Sequence, residues 1–328
     1  MQRAILLLLI ALCAAPAFAG GAKRPPVTVN VCGLPQTYTA VPQRAVTHDV
    51  NITEMFLFLG LADRLVGYSG MYAGKEAIPQ LVPVLARVPN LSPKGMNLEN
   101  IVAAQADFVF GGWSYGFQHG GVTPELLARY GIASYVLTES CIRVQKRADV
   151  ALEDAFVDMA NVARIFDAEQ QAAPRIQQLR DGLALLRTQM RGNALQPKVF
   201  VFDSGEKIPT TVGRYGMPQA MLEAAGARNI FDDIASNWPK GNWEDVVLRD
   251  PEWIVIIDYG KPSAQGKIDF LLQKKELQTV SAIRNKRFFV MTYAEATPGP
   301  RNVETAQRLA AALHPGRQIA VTPVRFQP

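Results

Sequence analysis

The segment Gly112-Trp113-Ser114-Tyr115-Gly116 matches G-x-S-x-G, the pattern of a hydrolase nucleophile elbow. That chemistry requires a strand leading into the serine and a helix starting directly behind it, so that a backbone N–H can serve the oxyanion. The strand is here, in "ADFVF", but the glycine-broken stretch "YGFQHGGVT" follows, and no helix begins before Thr123. A triad in the order Ser, Asp, His also needs a histidine downstream. His119 is too near, and His314 stands at the end of the last helical stretch beside an extended tail. A secreted serine hydrolase centred on Ser114 is therefore the remote reading. The three histidines, His48, His119 and His314, lack metal-ligand spacing, so no metal site is predicted. His48 follows a strand and can face a cleft.

The loop makes more sense as Trp113 and Tyr115 displayed at the carboxyl end of a strand, where α/β sheets place ligands. Other strand ends carry similar residues: Tyr68, Met71 and Tyr72 in the first half, and Arg214, Tyr215, Trp238, Tyr259, Tyr293, Glu295 and Arg301 in the second. Such a set suits a large, partly apolar, anionic ligand. Tyr72, Trp113, Tyr115 and Trp238 are expected to stack on it, and Arg214, beside Tyr215, and Arg301 to neutralise its acidic groups. Tyr293 and Glu295 complete the hydrogen bonding. No phosphate loop and no outstanding acid–base pair is found, which points to a binder, not an enzyme, with no cofactor of its own.

These loops need a scaffold, and the sequence describes one. "RAVT" leads to the capping-box pattern Asn51-Ile52-Thr53-Glu54 and an apolar helix ending at Gly60. "RLVGYS", "DFVFG" and "ASYVL" are strands separated by helices, one opened by Thr123-Pro124 and closed by Gly131. From Lys146 to about Met190 the pattern is helical, with Pro174 expected to start or kink its second portion. "KVFVFDS" then resumes the alternation. Residues 97–110 also align without a gap to residues 242–255, pairing Asn97 with Asn242, Glu99 with Glu244 and Val102 with Val247. This internal repeat predicts two related α/β lobes with parallel sheets, joined by a long α-helix, with the ligand cleft between them.

The chain has 328 residues and a formal charge of +5, with basic and acidic residues interspersed, so it is not a nucleic-acid binder. Residues 1–19 form a signal peptide: a positive start, the run "AILLLLIALCAA" and small residues at Ala17 and Ala19. Leu12 argues against a lipoprotein anchor at Cys13. An N-terminal lobe over 20–146, a helical linker over 147–196, a second lobe over 197–314 and a dispensable extended tail over 315–328 complete the organisation. Export leaves Cys32 and Cys141, which in an oxidising compartment are expected to form one disulfide.

Together these features resemble the periplasmic substrate-binding proteins that serve ABC importers of iron–siderophore complexes, haem and cobalamin. "GMNLENIV" and "NWEDVVLRDPEWIVI" are similar to the segments that present a docking glutamate on each lobe. The resemblance implies a periplasmic, monomeric receptor with little lobe movement, whose Glu99 and Glu244 meet a dimeric membrane permease. It implies an iron–siderophore complex as ligand, or alternatively a corrinoid, haem or another large cofactor.

Overall fold

A computed structural model describes residues 25–326, and the signal peptide expected over 1–19 lies outside them. The described chain opens with an antiparallel hairpin, β1 (Val27–Val31) and β2 (Leu34–Tyr38). The first lobe follows as β3 (Ala45–His48), α1 (Val50–Phe58), β4 (Leu65–Ser69), α2 (Val82–Leu85), β5 (Asn90–Ser92), α3 (Leu98–Ala103), β6 (Phe108–Trp113), β7 (Gly116–Phe117), α4 (Pro124–Arg129) and β8 (Ala133–Val136). Its parallel strands lie in the order β5-β4-β3-β6-β8, with β7 a short addition beside β6. Both faces of this sheet are covered, so β3 and β6 are buried at every position; β6 reads as an unbroken apolar run, while β3 also buries Thr47 and His48.

Two helices come next, α5 (Leu152–Ile165) and α6 (Glu169–Gln189), separated by a turn in which Asp167 takes φ 58°. They form an antiparallel hairpin: Arg187, near the end of α6, lies 2.7 Å from Glu153, near the start of α5. Pro174 neither begins nor ends a helix but sits inside α6. The second lobe comprises β9 (Lys198–Phe202), α7 (Met217–Ala224), β10 (Arg228–Asn229), α8 (Trp243–Arg249), β11 (Trp253–Asp258), α9 (Ala264–Gln273), α10 (Ser281–Arg284), β12 (Phe288–Thr292), α11 (Tyr293–Ala296) and α12 (Asn302–Leu313). Its parallel sheet runs β10-β9-β11-β12.

The long helix α6 ties the lobes together. Near its start Gln171 and Arg175 donate to the carbonyls of Leu59 and Phe58, just beyond and at the end of α1, at 3.1 and 2.6 Å. Near its end the Gly182 carbonyl accepts from Gln307 of α12 at 2.9 Å, and Gly182 itself lets α12 approach, since a Cβ there would stand 3.2 Å from Val303. One buried apolar cluster runs through both lobes, from Phe56 and Phe108 through Leu183 to Val199 and Met291. A second, including Phe200, Phe202, Phe231 and Trp243, packs the other face of the second sheet. Each such side chain contributes about 1.5–3 kcal/mol of burial.

The disulfide forms as expected. Cys32, in the β1–β2 turn, bonds to Cys141 in the 3₁₀ turn after β8, with the Cα atoms 5.2 Å apart. Two other expectations need correction. The tail is extended but packed on the fold, not free of it: Val324 N–H donates to Glu304 at 2.8 Å, and the Phe326 ring meets Phe58 of the first lobe edge to face at 5.7 Å. The capping box at Asn51–Glu54 is absent as well. Asp49 caps α1, accepting from the Val50 N–H at 2.7 Å, and frees both polar residues to reach the other lobe. Asn51 donates to the Pro298 carbonyl at 2.8 Å, and Glu54 takes a fork from Arg301 at 2.9 and 3.2 Å.

Candidate functional site

In each sheet the chain leaves one central strand toward one edge and returns beside it: the first lobe reverses between β3 and β6, the second between β9 and β11. Ligands of open α/β sheets bind outside the carboxyl ends of the strands at such a reversal. Here the two reversals face each other across a seam, and the residues that end these strands meet there.

Asp49, just past β3, is 2 % exposed. Its carboxylate is gripped by Lys75 of the first lobe, at 2.7 and 2.8 Å, and by the Tyr293 hydroxyl of the second lobe, which donates at 2.8 Å. The Lys75 ammonium also stands 3.9 Å above the Tyr293 ring. Next to it the backbone of Gly260 donates to the Gly74 carbonyl at 3.0 Å. Gly74 has φ 86°, and a Cβ would come within 2.5 Å of the Gly260 nitrogen, so only glycine permits this approach. In the second lobe Asp203, just past β9, accepts from Tyr259 at 3.0 Å, and the Tyr259 ring packs edge to face on Tyr293. Burial holds the Tyr293 hydroxyl well above its ordinary pKa, with Asp49 adding to the effect, so it remains a donor.

The opposite end of the seam is built differently. Trp238 of the second lobe donates from Nε1 to the Tyr115 hydroxyl at 3.2 Å. Beside this bond lies Glu139, in the turn that also carries Cys141, with 1 % exposure. Both of its carboxyl oxygens lack a hydrogen-bond partner, and so does Nδ2 of Asn237 from the second lobe. Asn237 and the Tyr115 hydroxyl are close enough to influence the carboxyl group, yet neither meets it in hydrogen-bond geometry. Burial pushes the Glu139 pKa up to about 8, only partly opposed by Tyr115, Asn237, Arg143 and Arg147. It is therefore a neutral acid at pH 7.

His48 is buried, with Nδ1 2.8 Å from the Ser69 hydroxyl, and burial lowers its pKa to about 4, so the ring is uncharged. It presses on Gly116, where φ is 101° and a Cβ would lie 2.7 Å from the imidazole. Ser114 is exposed at φ 68° and is followed by β7, so the strand–serine–helix arrangement of a nucleophile elbow is not present.

Of the residues singled out in sequence, Tyr72, Tyr115, Trp238 and Tyr293 come together at the seam. Trp113 lies beside Tyr115 but is buried against its own lobe, stacked on His119 at 4.8 Å. Arg214 lies elsewhere: it is exposed, and its Nε donates to the Asp232 carbonyl at 3.0 Å on the β10 edge of the second sheet. Tyr215 is half-buried in the loop entering α7. Arg301 and Glu295 serve the fold. Arg301 is committed to Glu54, while Glu295 accepts from the Thr292 N–H at 2.7 Å and from Arg308 at 2.8 Å. Lys267 is spent in the same way, donating to the carbonyls of Asp203 and Ile257. Each buried or half-buried cation at the seam is thus matched by a carboxylate or carbonyl of the chain itself.

Sequence reasoning missed Asp49, Asp203, Lys75, Glu139 and Asn237. A signal existed for the first pair, since "VTHD" and "VFVFD" both end a buried strand on aspartate at corresponding places in the two lobes.

The internal repeat is realised in structure. Asn97 and Asn242 cap α3 and α8, accepting from Asn100 N–H at 3.0 Å and Asp245 N–H at 2.6 Å. Glu99 and Glu244 occupy the first turns of these helices and are exposed. Each helix leads into a strand beside its lobe's reversal point, β6 or β11.

Comparison with known proteins agrees with this architecture. The chain is 25% identical over 285 residues to a vitamin B12-binding protein of Pectobacterium carotovorum, covering 86% of this chain and 93% of that one. It superposes on a periplasmic binding protein of Veillonella parvula with TM-score 0.76 at 26% identity, covering 88% and 98% of the two chains. An ABC-type Fe3+-hydroxamate transport protein of Saccharomonospora viridis shares the fold at TM-score 0.76 and 22% identity, over 88% and 99%. Residues 46–294, more than half of the sequence, match the periplasmic binding protein family, and the chain belongs to that family.

Proposed function

We propose that this protein is the periplasmic receptor of an ABC importer and carries a large metal chelate without excess negative charge, with a corrinoid first among candidates. The observation that carries the ligand class is the charge balance of the seam. Lys75, Arg301 and Lys267 are each engaged by the protein's own oxygens, and Arg214 lies outside. A polyanionic chelate would have to displace those partners, each of which would then be left buried and uncompensated. An uncharged or cationic chelate would not. The cobalamin relatives support the corrinoid. A ferric trihydroxamate, which lacks free carboxylates, is the second reading, favoured by the fold shared with the hydroxamate transport protein.

The aromatic groups Tyr72, Tyr115, Trp238 and Tyr293 supply apolar contact once the seam opens. Glu99 and Glu244, exposed at matching places on the two lobes, meet the permease. Two measurements test this. Titration of intrinsic tryptophan fluorescence with cyanocobalamin, ferrioxamine B and haem should show binding of one of the first two in preference to haem. Preferred binding of haem, with its two propionates, would sink the charge argument. Glu99→Lys combined with Glu244→Lys should leave affinity unchanged and abolish uptake in cells, and undiminished uptake would remove these residues from docking.

A further inference from the structure

Glu139 stands apart from the other buried carboxylates at the seam. Asp49 and Glu54 each have a cation within 3 Å, and Asp203 has two hydroxyl donors. Glu139 has neither, and the unsatisfied amide of Asn237 faces it from the other lobe. A buried polar group left without a partner forfeits the hydrogen bonds it made to water, an expense that a ligand offering a donor and an acceptor can relieve. Two lobes each contributing an unpaired group to one spot describe half of a hydrogen-bonding pattern. The Trp238–Tyr115 bond crosses between the lobes beside this spot.

We propose that Glu139 and Asn237 form a specificity subsite that binds a carboxamide of the ligand. This rests on the functional reading above and names the ligand group that the seam selects. A carboxylic acid and an amide are complementary in two places. The acid O–H donates to the amide carbonyl, and the acid carbonyl accepts the amide N–H. Asn237 Nδ2 supplies a second donor to the amide oxygen. A carboxylate in the amide's place has no N–H to give and sets an anion against the acid carbonyl, so the subsite rejects it. Corrinoids carry such amides on the ring periphery and trihydroxamates such as ferrioxamine B carry them in the backbone, so both sources share this chemistry.

The groups that bias Glu139 are Tyr115 of the first lobe, Arg143 and Arg147 following in the chain, and Asn237 of the second lobe; Tyr115 in turn meets Trp238 and the field of Asp49. The arginines favour ionisation and burial opposes it, with burial the larger effect.

The test measures the affinity of the full mature protein for cyanocobalamin, for its isolated monocarboxylic acids (one propionamide hydrolysed) and for ferrioxamine B. Wild type is compared with Glu139→Gln and Glu139→Leu. The wild type should bind whichever chelate is its ligand, and if that is the corrinoid, should discriminate against at least one monocarboxylic acid by about tenfold or more. Its affinity should fall as pH is raised through about 8, where Glu139 loses its proton. Glu139→Gln keeps a donor and an acceptor in the same shape, so it should bind within a few-fold of wild type with a flat pH profile. Glu139→Leu should lose about tenfold or more, together with any discrimination. Equal affinity and unchanged pH dependence across the three proteins would overturn the subsite while leaving the receptor reading intact. Failure of both chelates to bind wild type would defeat the receptor reading and the subsite with it.

Discussion

Glu54 and Glu139 are both buried between the lobes, at opposite kinds of place. Glu54 projects from α1 at the base of the seam, where α6, α11 and α12 converge, and Arg301 holds it in a two-bonded fork. Burial raises its pKa and the guanidinium opposes the rise, so the pair is a desolvated ion pair whose members need each other. Glu139 sits at the other end of the seam, paired with no cation; Arg143 and Arg147 only partly oppose its burial, and it remains protonated at neutral pH. The difference separates two tasks. The base fixes how the lobes sit, through satisfied polar contacts and a shared apolar core, whereas the other end of the seam keeps buried polar groups that the chain itself leaves unsatisfied.

The largest expected effect breaks the base. Arg301→Met leaves Glu54 buried without its cation and should lower stability by about 3–5 kcal/mol in urea denaturation, with most of it regained in the Glu54→Leu/Arg301→Met double variant. A loss below about 1 kcal/mol would mean that the pair does not hold the base. Next comes the tether of the Glu139 turn. Replacing Cys32 and Cys141 with serine should cost about 2–4 kcal/mol and weaken ligand binding, because the turn carrying Glu139 is released. Unchanged stability would indicate that the disulfide is incidental.

A smaller effect is the pH dependence of stability without ligand. The folded state holds the Glu139 proton up to about pH 8, while the unfolded chain releases it near the ordinary glutamate value. Stability from this group is thus fully present at low pH and falls as pH rises toward about 8, by at most about 1.4 kcal/mol per pH unit. Asp158, raised to about 7 by burial although Tyr135 and Thr138 donate to it, contributes in the same direction. Glu139→Gln should therefore flatten the slope without abolishing it, and an unaltered slope would remove Glu139 as its source. Smallest of all, Glu99→Lys with Glu244→Lys should shift stability by less than about 0.5 kcal/mol, since both residues are solvated on helices capped by asparagines.

The scaffold was legible in the sequence because its signals are local or repetitive. Unbroken apolar strands, the Thr123-Pro124 helix start and the alignment of 97–110 with 242–255 all depend on nearby residues, and each is found in the fold. The seam was legible only in part, because its partners lie far apart in the chain. Asn51 and Glu54 carry a valid local capping pattern, but contacts 247 residues away claim them. Arg301 looked like a ligand cation for the same reason, its carboxylate partner being invisible along the sequence. Aromatic residues at strand ends were a better guide, since Tyr115, Trp238 and Tyr293 need only be at the right end of a strand to reach the seam. Glu139 carried no such mark: an acid in "TESC" is ordinary until both sheets are seen to bury it.

Cys141 stands two residues beyond Glu139 on the same 3₁₀ turn, so the covalent bond to Cys32 braces that turn from outside. A chain whose two thiols are still reduced lacks that brace, so the turn carrying Glu139 is then held by packing and hydrogen bonds alone.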